Sequence, residues 1–462
     1  MRILLLNPPG SRRYLRDYYC SHVSKGRYVW QPIDLLILSG HLAENHDVIV
    51  IDAIAENLSV QKTYRAITLW QPEVIIFLTG SVSWLEDLAF FHQLPEAAAR
   101  KLFAIGDLPL FEPQLLFEQC LILDGILFDF ISAAVLHMVQ GDKEQEGKGY
   151  IYRDYPPDRE YIRFPSPSDY TVPLPQYGLF RIQNYHLVHV HHHPFMSVLT
   201  DFGCPFRCSF CPYENIPFLI RNYDNLFSEF QQIQSRGIKE IWFKDQSFGA
   251  QRSFTLKVLQ GLIEHKFNFS WSCETRVEFL DRHMMSLMKQ AGCHTVMIGV
   301  ETADQQIRAR YQKPVPDQLY QDVITRAHQA GLKTLVHFII GLPGETRESL
   351  QKLPDFALGL KSDFATFNIA TPQYGTTLRK EAIRHHWFDD SVRNIDSSCS
   401  FPLLSLPEID PSFVWNIRNK ALRHFYFRPV YILRHIFRTR TVYQWRNLIR
   451  EAFSLLRDLL QA

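Results

Sequence analysis

Three cysteines lie close together at residues 204, 208 and 211, in the sequence Cys204-Pro-Phe-Arg-Cys208-Ser-Phe-Cys211. Three thiolates on one short loop can ligate three irons of a cubane cluster and leave the fourth iron open to an external ligand. A structural zinc site would instead need a fourth protein ligand. The nearby residues that could supply it are His191, His192 and His193. The spacing alone therefore predicts a metal site and does not decide between an iron-sulfur cluster and zinc.

The remaining cysteines are scattered singly along the chain, at residues 20, 120, 273, 293 and 399. This distribution differs from the even framework of a secreted disulfide protein. It indicates a metal site in a reducing compartment, and we expect no second cluster elsewhere.

A run of strand and helix patterns positions the cysteine loop. Six short apolar strands alternate with amphipathic helices between about residues 197 and 377, which predicts a partial barrel of six βα units. The cysteines follow the first strand, at the end of the barrel where such folds carry out their chemistry. The predicted strands are Met196–Thr200, Glu240–Lys244, Asn268–Ser272, Thr295–Gly299, Thr334–Ile340 and Phe364–Ile369.

The first 135 residues also alternate strands with helices, which predicts a doubly wound parallel sheet. Its strands are expected at Ile3–Asn7, Val48–Asp52, Val74–Leu78, Leu102–Ile105 and Ile126–Phe130. A charged and then proline-rich stretch follows and is interpreted as a linker. The expected division is a doubly wound domain over 1–139, a linker over 140–195, the barrel over 196–378 and a helical, basic region over 379–462.

The cysteine spacing, with the aromatic Phe210 directly before the third cysteine, resembles the signature of the radical S-adenosylmethionine (SAM) superfamily. The doubly wound domain in front makes the order of domains resemble the subfamily that carries a cobalamin-binding domain. Five later segments resemble the family's barrel blocks, namely Phe243–Gly249, Cys273–Arg276, Ile298–Thr302, Phe338–Glu345 and Ala370–Gly375.

The resemblance implies an enzyme whose [4Fe-4S] cluster cleaves SAM to a 5'-deoxyadenosyl radical, which attacks an unactivated carbon of a hydrophobic substrate. With cobalamin as a further cofactor the outcome would be methyl transfer, and without it the substrate radical would rearrange, couple or be reduced. An electron donor such as flavodoxin or ferredoxin is implied. Two other classes stay open: a non-catalytic sensor that binds the cluster or SAM, and a zinc-stabilised binding protein.

The resemblance also assigns roles to single residues. Cys204, Cys208 and Cys211 would hold the cluster, and Phe210 would support the adenine of SAM. Asp245 would contact SAM, and Gly341 would let the adenine approach closely. The residues that would line the SAM or substrate pocket are Glu274, Arg276 and Glu301. From the residues alone, Asp245 could equally cap the next helix, Glu274 and Arg276 could form a surface pair, and Gly341 could serve only a turn.

The front domain departs from the cobalamin-binding pattern in two respects. The D-x-H-x-x-G sequence that supplies a lower histidine ligand is replaced by Asp52-Ala-Ile-Ala-Glu-Asn57, so histidine ligation is not expected. The glycine-rich turns that admit the bulky cofactor are reduced to Ile105-Gly106-Asp107 and Ile131-Ser-Ala-Ala134. Thr79-Gly-Ser81 keeps small residues where a nucleotide tail could pass.

The net charge of the 462-residue chain is +1, which gives no overall attraction to nucleic acid. No apolar stretch is long enough to span a membrane, and no signal peptide is recognised, so a soluble cytoplasmic protein is expected. Locally, residues 416–458 hold nine Arg and one Lys against two acidic residues, interleaved with aromatic residues. Two interpretations follow: a helical cap on the barrel with a solvated basic face, or a peripheral contact with an anionic membrane that holds a lipid-like substrate.

Overall fold

The computed structural model describes residues 1–26, 28–94, 101–165, 169–396, 398, 401–438, 443, 445–450, 452 and 453. It contains a doubly wound α/β domain, a partial β/α barrel and a C-terminal helical region. The fold class predicted from the sequence is confirmed.

The front domain is built on a six-stranded sheet in the order β4-β1-β5-β6-β7-β8, next to a two-stranded hairpin formed by β2 and β3. The strands are β1 (Arg2–Asn7), β2 (Tyr14–Asp17), β3 (Cys20–Val23), β4 (Asp47–Asp52), β5 (Val74–Leu78), β6 (Lys101–Ile105), β7 (Gly125–Leu127) and β8 (Tyr150–Tyr152). The helices are α1 (Ile33–Ala43), α2 (Val60–Trp70), α3 (Trp84–His92), α4 (Asp107–Phe111), α5 (Pro113–Gln119) and α6 (Ala134–Gln140).

The five predicted strands of this sheet are present because each is an apolar run that the flanking helices bury, as expected for parallel strands covered on both faces. The last is shorter than predicted and ends at Leu127. The sheet also gains β8, which pairs antiparallel with β7 inside the stretch interpreted as a linker. The secondary structure of the front sheet thus continues beyond residue 139.

The second large sheet contains six parallel strands in the order β10-β13-β14-β15-β16-β17. In chain order the strands after β8 are β9 (Asp169–Tyr170), β10 (Phe195–Val198), β11 (Asp201–Phe202), β12 (Leu219–Arg221), β13 (Glu240–Phe243), β14 (Ser270–Thr275), β15 (Cys293–Glu301), β16 (Lys333–Ile340) and β17 (Phe364–Ile369). The helices are α7 (Tyr223–Ser235), α8 (Arg252–Glu264), α9 (Arg282–Gln290), α10 (Gln305–Arg310), α11 (Asp317–Gln329), α12 (Arg347–Gly359) and α13 (Thr377–Arg384). All six predicted barrel strands are present, with ends displaced by at most three residues.

Two faces of the barrel strands differ in burial. Along β16 the half-buried residues Lys333, Leu335, His337 and Ile339 alternate with fully buried neighbours. Successive side chains of a strand point to opposite faces of the sheet. One face of β16 therefore packs against the surrounding helices, and the other borders an interior space.

The C-terminal region covers the barrel beside the edge strand β17 with α14 (Pro411–Tyr426) and α15 (Pro429–Arg438). Helix α14 buries Val414, Leu422 and Phe425. The hydroxyl of Tyr426 donates to the carbonyl of Ala365 at 2.6 Å and accepts from its N–H at 3.1 Å, so it satisfies backbone groups at this edge. This packing agrees with the helical-cap interpretation, although the side chains from Arg434 to Arg438 and most residues of the basic segment beyond them lie outside the described residues. Among the described residues, no helix is both long and apolar enough to cross a membrane.

Candidate active site

The cysteine loop lies between β11 and β12, where the backbone turns sharply at Gly203. Gly203 has φ +74°, and a Cβ there would lie 2.0 Å from the carbonyl oxygen of Pro217, so only glycine fits. Its N–H donates to the hydroxyl of Tyr18 in the front domain. At the other end of the loop, the carbonyl of Ser209 accepts from the N–H of Leu378 at 2.8 Å. The loop is thus fixed by both the front domain and the last barrel segment.

The three thiols are largely removed from water. Burial raises the pKa of Cys204 to about 11, raises the pKa of Cys208, and raises that of Cys211 still further. No group of three or more His, Cys, Asp or Glu side chains among the described residues is arranged to hold one metal ion.

The histidines considered as a fourth zinc ligand lie near the opposite end of the barrel. The N–H of His192 donates to Glu240, the first residue of β13, at 3.0 Å. The ring of His191 stacks on that of His294, near the start of β15, at 3.7 Å. The cysteines lie at the carboxyl end of the strands, so these histidines do not complete a site with them.

Arg276 brings a positive charge to the cluster loop, directly after β14. Its Nη1 lies 3.8 Å from the Sγ of Cys208, and its guanidinium lies 3.8 Å from the centre of the Phe206 ring. Glu278 binds the other side of the guanidinium at 2.5 Å and fixes its orientation. Arg276 thus neighbours the Cys208 thiol and pairs with Glu278 rather than Glu274, and its predicted place in a SAM or substrate pocket stays a prediction.

Glu301 ends β15 in the left-handed region, with φ +70°. Its carboxylate pairs with the ammonium of Lys313 at 2.6 Å, and both side chains are about nine-tenths buried. A Cβ at Gly299 would lie 2.2 Å from this carboxylate, so the glycine makes room for the pair. The charge of Lys313 lowers the pKa of Cys208, against the larger effect of burial.

Asp245 follows β13, where the sequence placed it, and is 1% exposed. Its carboxylate accepts from the N–H of Thr200 at 2.6 Å, the hydroxyl of Thr200 at 2.7 Å and the N–H of Asp201 at 3.1 Å. Burial raises the pKa of Asp245 to about 6. The contacts give Asp245 a positioning role for the strand that leads into the cysteine loop, and its contact with SAM stays a prediction.

Gly341 begins the turn after β16, with φ +85°. A Cβ there would lie 3.1 Å from Val414 of α14, so the close approach in the structure is to the C-terminal helix. The turn is held by Glu345, which accepts from the N–H groups of Gly341 at 2.8 Å and Leu342 at 3.0 Å. Glu345 is the last residue of the Phe338–Glu345 block, but its sequence position alone indicated no role for it.

A cavity of about 1090 Å³ opens beside the cysteine loop and is lined there by Phe210 and Cys211. Phe210 packs against Tyr311 with ring centres 6.0 Å apart. Glu274 also lines the cavity, and its contact with SAM or substrate stays a prediction. The site residues thus fall into two groups: Phe210 and Glu274 face the cavity, whereas Asp245, Arg276 and Glu301 support the loop and its surroundings.

The β2–β3 hairpin and the segment after it, which were not predicted from the sequence, form the wall of the cavity on the side of the front domain. Cys20, His22 and Trp30 line this wall. The ring of His22 lies 5.5 Å from that of Trp30, and burial lowers the pKa of His22 to about 4, so its ring is neutral near pH 7. The cavity therefore reaches from the barrel to the front domain.

The turns where a cobalamin tail could pass are occupied by the chain itself. A Cβ at Gly80 would meet Ser21, and one at Gly106 would lie 1.9 Å from the carbonyl oxygen of Thr79. Ser81 binds the carboxylate of Asp107 at 2.6 Å and exchanges two hydrogen bonds with Ile395. These glycines serve the chain's own packing, and Ser81 is engaged by Asp107 and Ile395.

Comparisons with known proteins agree with this arrangement. The profile of the radical SAM superfamily matches residues 199–357. A protein of Pyrococcus horikoshii named an uncharacterized methyltransferase is 28% identical over 456 residues, which cover 95% of each chain.

Two solved structures have similar folds. The structure of the cobalamin-dependent SAM radical enzyme OxsB, with aqua-cobalamin and SAM bound, gives a TM-score of 0.70 at 13% identity, over all of this chain and 72% of that one. The structure of the radical SAM methyltransferase TsrM from Kitasatospora setae, with cobalamin and a [4Fe-4S] cluster bound, gives 0.65 at 14% identity, over 93% and 89% of the two chains. At these identities the similarity establishes the fold.

Proposed function

We propose that the chain is a radical SAM enzyme that modifies a carbon atom of a substrate held in the barrel cavity. Cys204, Cys208 and Cys211 would hold a [4Fe-4S] cluster, which supplies the electron that cleaves bound SAM to start radical chemistry. The observation that carries the proposal is the continuity of the cysteine loop with the cavity, since Phe210 and Cys211 form part of its wall.

The chain's own residues would contribute charge and shape to this chemistry. Arg276 and Lys313 place positive charge beside Cys208 and so favour the thiolate, which must form before iron binds. Phe210, which packs on Tyr311, offers an aromatic surface on the cavity wall for an adenine ring. The tightly packed loop, fixed by Tyr18 and Leu378, would keep water away from reactive intermediates.

The outcome we propose is methyl transfer with cobalamin as the second cofactor. It is supported by the methyltransferase names of the Pyrococcus horikoshii protein and TsrM, and by the cobalamin in the TsrM and OxsB structures. The wall that His22 and Trp30 form offers a surface for a large planar group on the cavity side of the front domain. A nucleotide tail that passed along Thr79–Ser81 would have to displace the hydrogen bonds that Ser81 makes with Asp107 and Ile395.

The test is anaerobic reconstitution with iron and sulfide, followed by reduction with SAM in the presence and absence of cobalamin. We expect about four irons per chain and formation of 5'-deoxyadenosine, together with cobalamin uptake. Product formation without cobalamin would favour rearrangement, coupling or reduction. Cluster and SAM binding without cleavage would identify a sensor, and zinc in place of iron would contradict the proposal.

We further propose a peripheral membrane contact through the C-terminal helices. Val430 and Leu433 of α15 are 77% and 53% exposed, and Phe427 between α14 and α15 is 45% exposed. Phe427 also lines the cavity, so the exposed apolar surface and the cavity meet at this residue. An apolar substrate could therefore pass from a membrane into the cavity without crossing water.

A further inference from the structure

The interior of the barrel is open along its length. We propose that it is a binding tunnel for an amphipathic molecule with an elongated hydrocarbon body, whose apolar end points toward the amino ends of the strands. The polar group of this molecule would lie at the level of His337. The assignment rests on the proposed function only in identifying the end near the cysteines as the reacting end.

Strand register places the cavity wall at successive levels of the barrel. Thr295 pairs with Lys333 at the amino ends of the strands, and Met297 pairs with Leu335 one level higher. His337 pairs with Thr366 at the third level. Each of these residues lines the cavity, as do Ile339 and Asn368 at the fourth level.

The length of the tunnel follows from strand geometry. Lys333 and Ile339 are six residues apart on β16, and a parallel strand rises about 3.3 Å per residue. The open interior is therefore about 20 Å long. Barrels of this kind ordinarily fill their interior with layers of packed side chains. An open interior of this length is a space that can accept a ligand.

The polarity of the wall changes along the tunnel. Besides Thr295, Lys333 and His189, the lower half is lined by the large apolar side chains of Met297, Leu335, Phe364 and Trp242. These side chains favour a hydrocarbon, and burial of each methylene group contributes about 0.8 kcal/mol. The lower half therefore selects the apolar part of the ligand.

The upper half, toward the carboxyl ends of the strands, carries the polar side chains of His337, Thr366 and Asn368 beside Ile339. The Nδ1 of His337 lies 2.8 Å from the hydroxyl of Thr366, while its buried Nε2 has no hydrogen-bond partner among the described residues. A buried polar atom without a partner is unfavourable. Burial lowers the pKa of His337, so the neutral ring can offer one donor and one acceptor. A hydroxyl or carbonyl group of the ligand at this level would supply the missing partner.

The far end of the tunnel is polar and limits the length of the ligand. The ammonium of Lys333 lies 3.3 Å from Nε2 of His191, whose ring stacks on His294. Glu240 binds His294 at 2.7 Å. A hydrocarbon that reached this network would displace hydrogen-bonded groups, so we expect a preferred chain length.

The experiment measures binding of straight-chain alcohols, from 1-hexanol to 1-dodecanol, to the anaerobic holoenzyme by isothermal titration calorimetry. We expect the affinity to rise by up to about fourfold per added methylene, the equivalent of about 0.8 kcal/mol, and to stop rising once the chain reaches the Lys333 network. Leu335→Trp should block the lower half, so that the affinity stops rising at a shorter chain. Leu121→Trp, at a side chain of the front domain that is 78% exposed, is the matched control and should behave as wild type.

Leu335→Ala serves as a second lumen variant if the tryptophan impairs folding, and iron content is measured for every variant. The alanine variant widens the tunnel and should still show the rise with chain length. An affinity that does not depend on chain length, or that Leu335→Trp and Leu121→Trp change equally, would overturn the proposal. If alcohols bind as expected and no 5'-deoxyadenosine forms, the proposed function fails and the tunnel stands. If 5'-deoxyadenosine forms but the alcohols do not bind as expected, the tunnel proposal fails and the proposed function stands.

Discussion

The guanidinium Nη1 of Arg276 lies 3.8 Å from the Sγ of Cys208, the middle cysteine of the loop. A positive charge beside a cluster ligand stabilises the more negative, reduced state of the cluster. Arg276→Met should therefore lower the reduction potential. A hydrogen bond to a charged group contributes about 1.5 kcal/mol, so we expect a decrease of up to about 60 mV for this one-electron couple.

The potential is measured by anaerobic redox titration, and the rate of SAM cleavage should decrease with it. Arg276→Lys keeps the charge and should recover part of the potential. Arg252→Met removes a half-exposed arginine that is paired with Asp281, and it should leave the potential unchanged. Equal potentials for wild type and Arg276→Met would remove Arg276 from this role.

Cys20 tests whether the cluster is held by Cys204, Cys208 and Cys211 alone, because this front-domain residue lines the same cavity as Cys211. Alanine at Cys204, Cys208 or Cys211 should abolish the cluster and all SAM cleavage. Cys20→Ala should retain about four irons, since a fourth protein ligand would leave no open iron for SAM. Iron analysis and 5'-deoxyadenosine yield report the result. Loss of the cluster in Cys20→Ala would identify Cys20 as a ligand and contradict the proposed chemistry.

Bound cobalamin is predicted to lack histidine ligation. Asp52, which begins the stretch where the family's histidine motif would lie, is buried and binds Asn7 at 2.9 Å and Tyr185 at 3.1 Å. Electron paramagnetic resonance of the cob(II)alamin form should show no nitrogen splitting from a lower ligand, in wild type and in His22→Ala alike. A splitting that disappears in His22→Ala would show that the cavity-lining histidine coordinates cobalt after all.

The sequence predicted the barrel strands and the cysteine loop because both depend on local patterns. Val336 and Phe338 belong to an apolar run that any parallel strand with two covered faces would need. The hairpin formed by β2 and β3 was missed because Arg16 lies in it fully buried. Its charge is compensated by Asp87 of α3 at 2.6 Å, 71 residues away in the chain. A contact at that separation leaves no signal in a short sequence window.

The roles of single residues needed the register between strands. His337 is one histidine in an apolar strand, and only its pairing with Thr366 places it at a definite level of the cavity. Asp245 and Gly341 occupy the predicted positions on their loops. Asp245 contacts Thr200, and Gly341 lies against Val414, and neither neighbour was predicted from the sequence. A family motif specifies a position on a loop, whereas its neighbours depend on distant segments that fold against it.

Glu345 should make the stability of the protein depend on pH. Burial raises the pKa of Glu345 from 4.5 to about 7, because the carboxylate is fully enclosed while it accepts from the turn after β16. A raised carboxyl pKa means that the folded state binds a proton more tightly than the unfolded state. The contribution of Glu345 to the free energy of unfolding is therefore fully present below pH 4.5 and is lost as the pH rises through 7.

Glu345→Gln removes this titration while its amide oxygen can still accept from Gly341. The free energy of unfolding of wild type relative to this variant should be larger at pH 5 than at pH 8, by up to about 3 kcal/mol. Chemical denaturation of the anaerobic apoprotein at both values measures the difference. Glu348→Gln, on the exposed start of α12, should show no such change. A constant difference between wild type and Glu345→Gln would mean that Glu345 does not titrate in this range.

The C-terminal helices should bind anionic membranes reversibly. Val430 and Leu433 expose apolar surface on α15, and Lys420 and Arg423 lie exposed on α14. Each basic residue near an anionic surface contributes on the order of 1 kcal/mol, and the attraction is screened within about 10 Å at 0.1 M salt. Truncation after Pro407 would also remove Val414 and Phe425 from the core, so point variants are the cleaner test.

Sedimentation with vesicles of increasing phosphatidylserine content should show binding that rises with anionic lipid and weakens with added salt. The double variant Lys420→Gln/Arg423→Gln should weaken binding and reduce its salt dependence, whereas Val430→Ser/Leu433→Ser should weaken binding at every salt concentration. The matched control is Lys62→Gln/Arg65→Gln on α2, which removes two exposed charges from the front domain. All variants must retain the cluster and cleave SAM. If the wild-type protein does not bind phosphatidylserine vesicles at low salt, the C-terminal helices act only as a cap on the barrel. The substrate must then enter the cavity from water.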